Sequence, residues 1–250
     1  MPDSTILDDE RRDMQARTVQ AVADLDWPSL EQRLDQSGLA TTSALLAPAE
    51  CRALAALYGK DARFRSRVVM ERHGFGRGEY KYFDYPLPGT VAALRNAFYP
   101  RLARIANRWS EALGEAGRFP ASLAAYLARC HEAGQRRPTP LMLRYATGDY
   151  NRPHQDLYGE HVFPLQLTIL LSEPGRDFEG GELVLVEQTL RRQSRAHVVA
   201  LRQGEAVIFA VHHRPVSGAR GFYRANLRHG VSTLHRGERT TLGIIFHDAA

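Results

Sequence analysis

Residues 141–171 read LMLRYATGDYNRPHQDLYGEHVFPLQLTILL, two short apolar runs joined by a polar connection. Apolar runs of this length, bounded by Gly, Pro and Asp, predict strands at Leu141–Ala146 and Phe163–Leu171. By the same pattern, further strands are predicted at Glu182–Glu187, Val198–Leu201, Ala206–Val211, Asn226–Leu234 and Thr240–Phe246. Connections such as Glu173–Gly181 are too short to hold crossover helices, which disfavours a parallel α/β fold. Seven or eight strands at this spacing indicate a barrel or jelly roll.

The chain before this region reads mainly as helix. In its longest apolar pattern, residues recur at steps of three and four, at Val91, Leu94, Phe98, Leu102, Ile105, Trp109 and Leu113, as on one face of a helix. Short extended runs rich in Arg and Tyr flank a glycine-rich stretch at 73–78, which predicts a hairpin-like loop.

The expected organisation is therefore α+β, with an N-terminal helical region over residues 1–62 packed on a second domain over residues 63–250. Within the second domain we expect a substrate-lid segment at 63–86, support helices at 87–135 and a jelly-roll core at 141–248.

The composition limits the classes of protein to which this chain can belong. A chain that is 44% hydrophobic and 24% charged is typical of a folded domain. Its apolar runs fall short of the roughly 20 residues needed to span a bilayer, and its first residues are acidic and polar. We therefore expect a cytoplasmic protein without a membrane partner. The net charge of +5 permits a nucleic-acid partner but also suits an Arg-rich composition.

The polar connection after Ala146 contains His154-Gln155-Asp156. Residues two apart on an extended segment point the same way, so an imidazole and a carboxylate can share one metal ion. In a chain with 10 histidines this pair also arises by chance, so it needs a third ligand to predict a site.

His229 is the best candidate for that ligand, because Arg239 follows it ten residues later, a spacing that could bring both side chains to one site. A turn near His235–Glu238 would place the two on adjacent strands, about 15 Å apart at roughly 3.3 Å per residue. Two imidazoles and one carboxylate suit Fe(II) and leave positions open for a bidentate oxo acid and O₂. Arg239 suits a carboxylate, whereas zinc, the main alternative metal, leaves it unexplained. The other candidates for the distal ligand are His161, His197, His212, His213, His235 and His247.

These motifs resemble the Fe(II)/2-oxoglutarate oxygenases with a prolyl-4-hydroxylase-type core. More closely, the chain resembles a bacterial oxygenase family described as acting in oxidative demethylation of damaged DNA, in the AlkB manner. The resemblance runs from about Phe64 to the C-terminus. It is carried by Phe64–Arg72, Gly78–Pro86, Leu143–Asp156, the Gly180–Glu182 turn and His229–Arg239.

The resemblance implies a double-stranded β-helix that holds Fe(II) through His154, Asp156 and His229. It implies that Arg239 binds the distal carboxylate of 2-oxoglutarate and that Tyr145 hydrogen-bonds this co-substrate. Some prolyl-hydroxylase relatives carry a second tyrosine on the strand after the first two ligands. Here that strand has none, and Thr168 or Gln166 is expected in its place. O₂ is the second co-substrate, and L-ascorbate is a candidate cofactor.

Residues 63–85 are the best candidates for substrate contact, because basic and aromatic side chains interleave there. Basic groups can track phosphates while aromatic rings stack on bases. A peptide could use the same groove, and a hydrophobic hairpin covering the barrel mouth needs no substrate. The candidate substrate residues are Arg65, Arg67, Arg72, Tyr80 and Tyr82.

The function expected is a dioxygenase that couples decarboxylation of 2-oxoglutarate to substrate hydroxylation, with methylated single-stranded DNA as a candidate partner. Hydroxylation of a prolyl peptide or a small molecule is the alternative within the same chemistry. Two alternatives are not enzymes. A cupin-like protein would bind metal without forming succinate, and a basic nucleic-acid-binding module would keep its salt-dependent affinity without His154.

Overall fold

A computed structural model describes residues 4–157, 159–189 and 192–250. Within these ranges the helices are α1 (Ser4–Ala23), α2 (Trp27–Ser37), α3 (Pro48–Ala55), α4 (Gly89–Ala112) and α5 (Leu123–Glu132). The strands are β1 (Leu39–Thr41), β2 (Phe64–Val69), β3 (Gly76–Arg77), β4 (Glu79–Phe83), β5 (Leu141–Ala146), β6 (Tyr150–His154), β7 (Leu165–Leu170), β8 (Phe178–Gly180), β9 (Leu183–Gln188), β10 (Arg195–Val199), β11 (Ala206–Ala210), β12 (His213–Gly218), β13 (Gly221–Val231) and β14 (Leu234–Ile244). The first three residues of the predicted helical region lie outside the described ranges.

The strands form two sheets. The larger has the order β1-β11-β7-β14-β5-β4-β2, with β8 paired to β14. The smaller has the order β10-β9-β13-β6-β3, with β12 paired to β13. Neighbouring strands in both sheets are antiparallel, for example β14 with β5 and β13 with β9. The fold is therefore a mixture of helices and antiparallel sheet, as the short connections predicted.

The N-terminal region is joined to the larger sheet by a strand. Helix α2 begins where the Asp26 side chain accepts a hydrogen bond from the Ser29 N–H, and it ends at Gly38, whose φ is 72°. The chain then forms β1, which pairs with β11 through Leu39 and Phe209. The sequence pattern did not reveal this strand, because three residues are too few to show alternation. The boundary between residues 62 and 63 stays a prediction.

Residues 63–86, predicted to form a lid, contribute strands to both sheets. Strand β2 pairs with β4, and β4 extends the larger sheet through the Tyr82–Leu141 pair. The short β3 pairs with β6 at the edge of the smaller sheet. The segment is thus held by backbone hydrogen bonds on two sides.

Helix α4 is anchored to the C-terminal end of the chain by a buried arginine. Arg95 is 1% exposed, and its guanidinium donates to the Asp248 carboxylate at 2.8 Å and to the Ile245 carbonyl at 2.9 Å. Tyr85 donates its hydroxyl proton to the same carboxylate at 3.0 Å. Because the Arg95 guanidinium and the Asp248 carboxylate are both buried, this network fixes α4 against the residues that follow β14.

Two sequence predictions about the chain around the metal motif were wrong. No strand was predicted in the polar connection after Ala146, but β6 begins at Tyr150 and pairs with β13. The predicted turn near His235–Glu238 lies inside β14, which begins at Leu234. Consequently β13 and β14 belong to opposite sheets and are not neighbours in one sheet.

None of the helices within the described ranges combines the length and the apolar character needed to cross a membrane.

Candidate metal centre

The smaller sheet brings the two histidines of the predicted metal group together. His154 ends β6 and lies opposite His229 of β13 in the antiparallel register, with ring centres 4.3 Å apart. Asp156 follows two residues after His154. One ligand atom from each of the three residues can be chosen so that all lie within 4.8 Å of one another. The pairing of β6 with β13 therefore creates the cluster that the sequence predicted.

Hydrogen bonds fix the orientation of these side chains. The ring nitrogen Nδ1 of His154 lies 2.8 Å from the Arg152 carbonyl oxygen. A carbonyl can only accept, so Nδ1 carries a proton there and Nε2 is turned toward Asp156 Oδ1 at 3.5 Å. His229 Nε2 lies 3.2 Å from Asp156 Oδ2. The hydrogen bond from His154 Nδ1 to a backbone carbonyl, with Nε2 left to face the cluster, is the usual way to orient a metal-binding histidine.

The charges of the cluster are unevenly distributed. Burial opposes ionisation of Asp156, but the charge of His229 and hydrogen bonds from both histidines hold its pKa well below the usual value. Burial lowers the pKa of His229 despite the nearby carboxylate. Burial also opposes charge on His154, but the hydrogen bond to Asp156, the charge of that carboxylate and the Arg152 carbonyl together raise the His154 pKa. The centre thus offers an ionised carboxylate beside two imidazoles, and a divalent cation would displace any proton held on the ligand nitrogens.

Arg239 and Tyr145 approach the same space from the larger sheet. They lie directly opposite each other in the pairing of β14 with β5. Arg239 is 4% exposed, and its guanidinium carbon is 5.9 Å from the centre of the Tyr145 ring. Among the described residues, none forms a hydrogen bond or an ion pair with this guanidinium. Burial lowers the pKa of Arg239, partly offset by Tyr145 and Glu182.

A cavity of about 230 Å³ lies between the two sheets, next to the metal cluster. The metal cluster, Arg239 and Tyr145 all line it, and so do Gln166 and Thr168 of β7. Gln166 lies within hydrogen-bond distance of the metal cluster, because its Nε2 is 2.9 Å from Asp156 Oδ2. The seven residues predicted for metal and co-substrate therefore face one cavity.

The five predicted substrate residues divide into two groups. Tyr80 and Tyr82 line the cavity, and the Arg65 guanidinium lies 4.6 Å from the centre of the Tyr82 ring. Arg67 pairs with Glu79 on an exposed part of the larger sheet. Arg72 is exposed in a short 3-10 turn, and neither Arg67 nor Arg72 is among the described residues that line the cavity.

The cavity wall also contains residues that were not among the predicted site residues, including Thr241, Asn151 and Phe75. Thr241 lies two residues after Arg239 and faces the same way, so period-two alternation could have identified it. Asn151 belongs to β6 and donates to the Tyr145 hydroxyl at 3.5 Å. Phe75 lines the mouth, is 46% exposed and stacks on His73 with ring centres 5.3 Å apart. Only the loop's mixed basic and aromatic composition pointed toward Phe75.

The residues present fit an Fe(II) ion with a diacid co-substrate. Two imidazole nitrogens and a carboxylate are the donor set that suits Fe(II) and leaves positions open. The buried guanidinium of Arg239, which has no ion-pair partner among the described residues, faces the same cavity and suits an anionic ligand. A closed zinc site would need a fourth ligand, and only the three residues are grouped closely enough within the described ranges.

Comparisons with known proteins agree on the family. A family model, Oxygenase-NA, described as "Oxygenase, catalysing oxidative methylation of damaged DNA", matches residues 78–249. An uncharacterized Mycobacterium tuberculosis protein, Rv2227, is 50% identical over 190 residues, which cover 76% of this chain and 79% of that protein.

Two solved structures share the fold at low sequence identity. A prolyl hydroxylase from Trichoplax adhaerens, in complex with a hypoxia inducible factor peptide fragment, has a TM-score of 0.57 at 13% identity and covers 87% of this chain and 86% of its own. A 2OG-Fe(II) oxygenase family oxidoreductase from Burkholderia pseudomallei has a TM-score of 0.51 at 17% identity and covers 91% and 93%. With the family match, these findings confirm the resemblance that the motifs carried.

Proposed function

The chain belongs to the Oxygenase-NA family of oxygenases, and from this membership we propose that it is an Fe(II)- and 2-oxoglutarate-dependent dioxygenase acting on alkylated DNA. His154, Asp156 and His229 would hold the metal. When bound, Fe(II) with 2-oxoglutarate and O₂ supplies the oxidant that hydroxylates a C–H bond, with succinate and CO₂ as the other products.

The unpaired Arg239 guanidinium is the observation that carries the co-substrate assignment. An arginine stays charged in proteins, and an isolated buried charge is costly unless an anion accompanies it. Among the described residues no carboxylate pairs with Arg239, although its side chain is 4% exposed. A carboxylate of 2-oxoglutarate would accept two parallel hydrogen bonds from the guanidinium fork. The opposite end of the diacid would then reach toward the metal cluster across the same cavity.

The remaining cavity residues would orient this co-substrate and exclude water. The Tyr145 hydroxyl is fully buried beside Arg239, and burial raises its pKa, so it remains a neutral donor at physiological pH. Thr168 offers a second hydroxyl from β7. The Phe209 ring lies 4.8 Å from the His229 ring, and Leu167 adds apolar surface to the wall. These apolar surroundings would strengthen each interaction between charges inside the cavity.

The substrate proposal rests on the family description and on the mouth of the cavity. Oxidation of an N-methyl group gives a hydroxymethyl group that leaves as formaldehyde, so the chemistry proposed is demethylation of damaged DNA. Tyr80 and Tyr82 line the wall and Phe75 lines the mouth, which offers rings on which an unstacked base could stack. An enzyme that modifies a base must remove it from the helix or use a single strand.

We propose further that the two sheets form a double-stranded β-helix, as in the 2OG-Fe(II) oxygenases, with residues 1–62 as an addition to it. The likeness to two such structures with TM-scores of 0.51 and 0.57 supports this proposal. A cytoplasmic location also stays a prediction.

Succinate formation is the direct test. Anaerobically purified protein would receive Fe(II), 2-oxoglutarate and O₂, with and without L-ascorbate, and His154→Ala would serve as the inactive control. Methylated and unmethylated single-stranded DNA of one sequence would be compared. We expect succinate from the wild type alone, and extra succinate with equimolar formaldehyde when the DNA is methylated.

The other outcomes separate the alternatives. Succinate that rises with a prolyl peptide or a small molecule, without formaldehyde, would replace demethylation by hydroxylation, the chemistry named for the Trichoplax neighbour. Protein that binds iron yet forms no succinate under any condition would be a cupin-like metal binder. DNA binding that is unchanged in His154→Ala, with no turnover, would indicate a basic nucleic-acid-binding module.

A further inference from the structure

Gln166 contacts the metal cluster itself. Its amide nitrogen lies 2.9 Å from Asp156 Oδ2 and 3.3 Å from His229 Nε2. Its side chain is buried, with the residue 5% exposed. It thus touches two of the three proposed metal ligands at atoms that face the centre.

The chemistry of these partners fixes the orientation of the amide. An ionised carboxylate only accepts hydrogen bonds, so the edge of the amide next to Asp156 must be the NH₂ group. The same amide nitrogen lies 3.3 Å from the Nε2 of His229, where the tautomer of the imidazole decides which group donates. The amide oxygen Oε1 is left buried, without a hydrogen-bond partner in the described part of the chain. Such an unpaired acceptor is costly unless it serves the site.

We infer that Gln166 is a positioning residue for the metal ligands, an inference that rests on the proposed function. Its amide holds the Asp156 carboxylate and the His229 imidazole close together before a metal binds. The Nε2 of His229 has one lone pair, which a bound metal would occupy, so the contact between this atom and Gln166 would be given up on binding. A carboxylate oxygen has further lone pairs, so the contact with Asp156 can persist and orient the carboxylate.

The neighbouring Thr168 provides a matched control. Thr168 lies two residues further along β7, lines the same cavity and is half-buried. None of its hydrogen bonds reaches the three proposed ligands among the described residues. Thr168→Val therefore changes the polarity of the same wall without removing a contact to the metal cluster.

Co(II) alone is the probe, since it is stable in air and its visible absorption reports the ligand set. Purified metal-free wild type, Gln166→Met, Gln166→Asn, Thr168→Val and His154→Ala would be titrated with Co(II), and each melting temperature would be measured without metal. Met keeps the length of Gln but lacks the N–H donors, and Asn keeps the amide but is too short to reach. We expect both Gln166 variants to bind Co(II) about 10–100-fold more weakly, with altered absorption bands, and Thr168→Val to match the wild type.

Equal Co(II) affinity and equal spectra in wild type and the Gln166 variants would overturn the inference, even if their melting temperatures fell, because that result describes a purely structural role. If Gln166→Met does not fold, the Asn variant decides in the same way. Wild type that binds Co(II) no better than His154→Ala would overturn the metal centre, and the inference with it. Tight wild-type binding with unaffected Gln166 variants would leave the proposed function standing.

Discussion

Replacing Arg239 by methionine should make the protein more stable and less able to bind its co-substrate. Methionine has a similar length, and it removes the charge without leaving a large void. The two effects have opposite signs because the guanidinium lacks a counter-ion among the described residues and lies in the cavity wall. A residue kept only for stability would not behave in this way.

The gain in stability follows from burial. Arg239 is 4% exposed, so most of its hydration is lost on folding. Replacing buried ionic groups by apolar residues of similar volume is often neutral or stabilising by about 1–4 kcal/mol. Because none of the described residues forms an ion pair with Arg239, we expect a gain within that range, measured by denaturant unfolding of the metal-free protein.

The loss in binding follows from the charge pair that would form with 2-oxoglutarate. Removing one partner of a buried, hydrogen-bonded charge pair costs about 2–5 kcal/mol, which corresponds to a dissociation constant roughly 30-fold to several thousand-fold larger. Calorimetric titration of the Fe(II)-loaded protein with 2-oxoglutarate, without O₂, would measure this change.

Arg236→Met is the matched control on the same strand. Arg236 pairs with Glu179 at 2.6 Å at the surface, where such pairs contribute little. We expect this control to leave both quantities nearly unchanged. An Arg239→Met protein that is less stable and binds 2-oxoglutarate as tightly as the wild type would refute the reasoning, since the guanidinium would then be a structural group.

Three further predictions follow from the packing. Gly181→Ala should lower the melting temperature, because φ is 66° and a Cβ there would lie 2.6 Å from Cδ1 of Leu234. It should also weaken 2-oxoglutarate binding, because the same Cβ would lie 3.2 Å from Cδ of Arg239. Gly175→Ala, with φ of 80° and open space around it, should show the backbone strain alone. Burial lowers the pKa of His247 from 6.5 to about 4, so the unfolded chain binds more protons than the folded protein between these pH values. The free energy of unfolding should therefore fall by roughly 1.4 kcal/mol per pH unit as the pH drops through that window. Denaturant unfolding of His247→Asn should show a weaker dependence of stability on pH. Asp248→Ala leaves a buried guanidinium without its carboxylate and should cost about 3–5 kcal/mol in the free energy of unfolding, and an unchanged unfolding curve would contradict the role assigned to this pair.

Strong local patterns predicted the framework well. Strand β5 was predicted with the bounds that the structure has. A short apolar run between Pro140 and Gly148 is typical of a strand and has few other regular structures open to it. The apolar face from Val91 onward correctly predicted α4, which continues through Pro100. Such elements could be predicted because their own residues specify them.

Strand β6 shows where local patterns failed. It is short and polar and contains Pro153, and all of these features favour a loop. Pairing with β13 makes it a strand, through the register that sets His154 opposite His229. The partner residues lie far along the chain, so no local window contains the information.

Gly237 misled the prediction of the turn after His229. Glycine next to charged residues commonly marks a hairpin, but here a Cβ would lie 2.0 Å from the Asp177 carbonyl oxygen. The glycine permits the close approach of β8, and the chain changes sheet earlier, between Val231 and Leu234.

The candidate ligands and the arginine could be chosen from residue types and spacing, because metal preference and charge complementarity are properties of the side chains themselves. Their arrangement could not. His229 and Arg239 face one cavity from opposite sheets, and Gln166 reaches the ligands from a third strand. Contacts of this kind depend on how separate strands pack across the space between two sheets, which no residue determines through its neighbours in the chain.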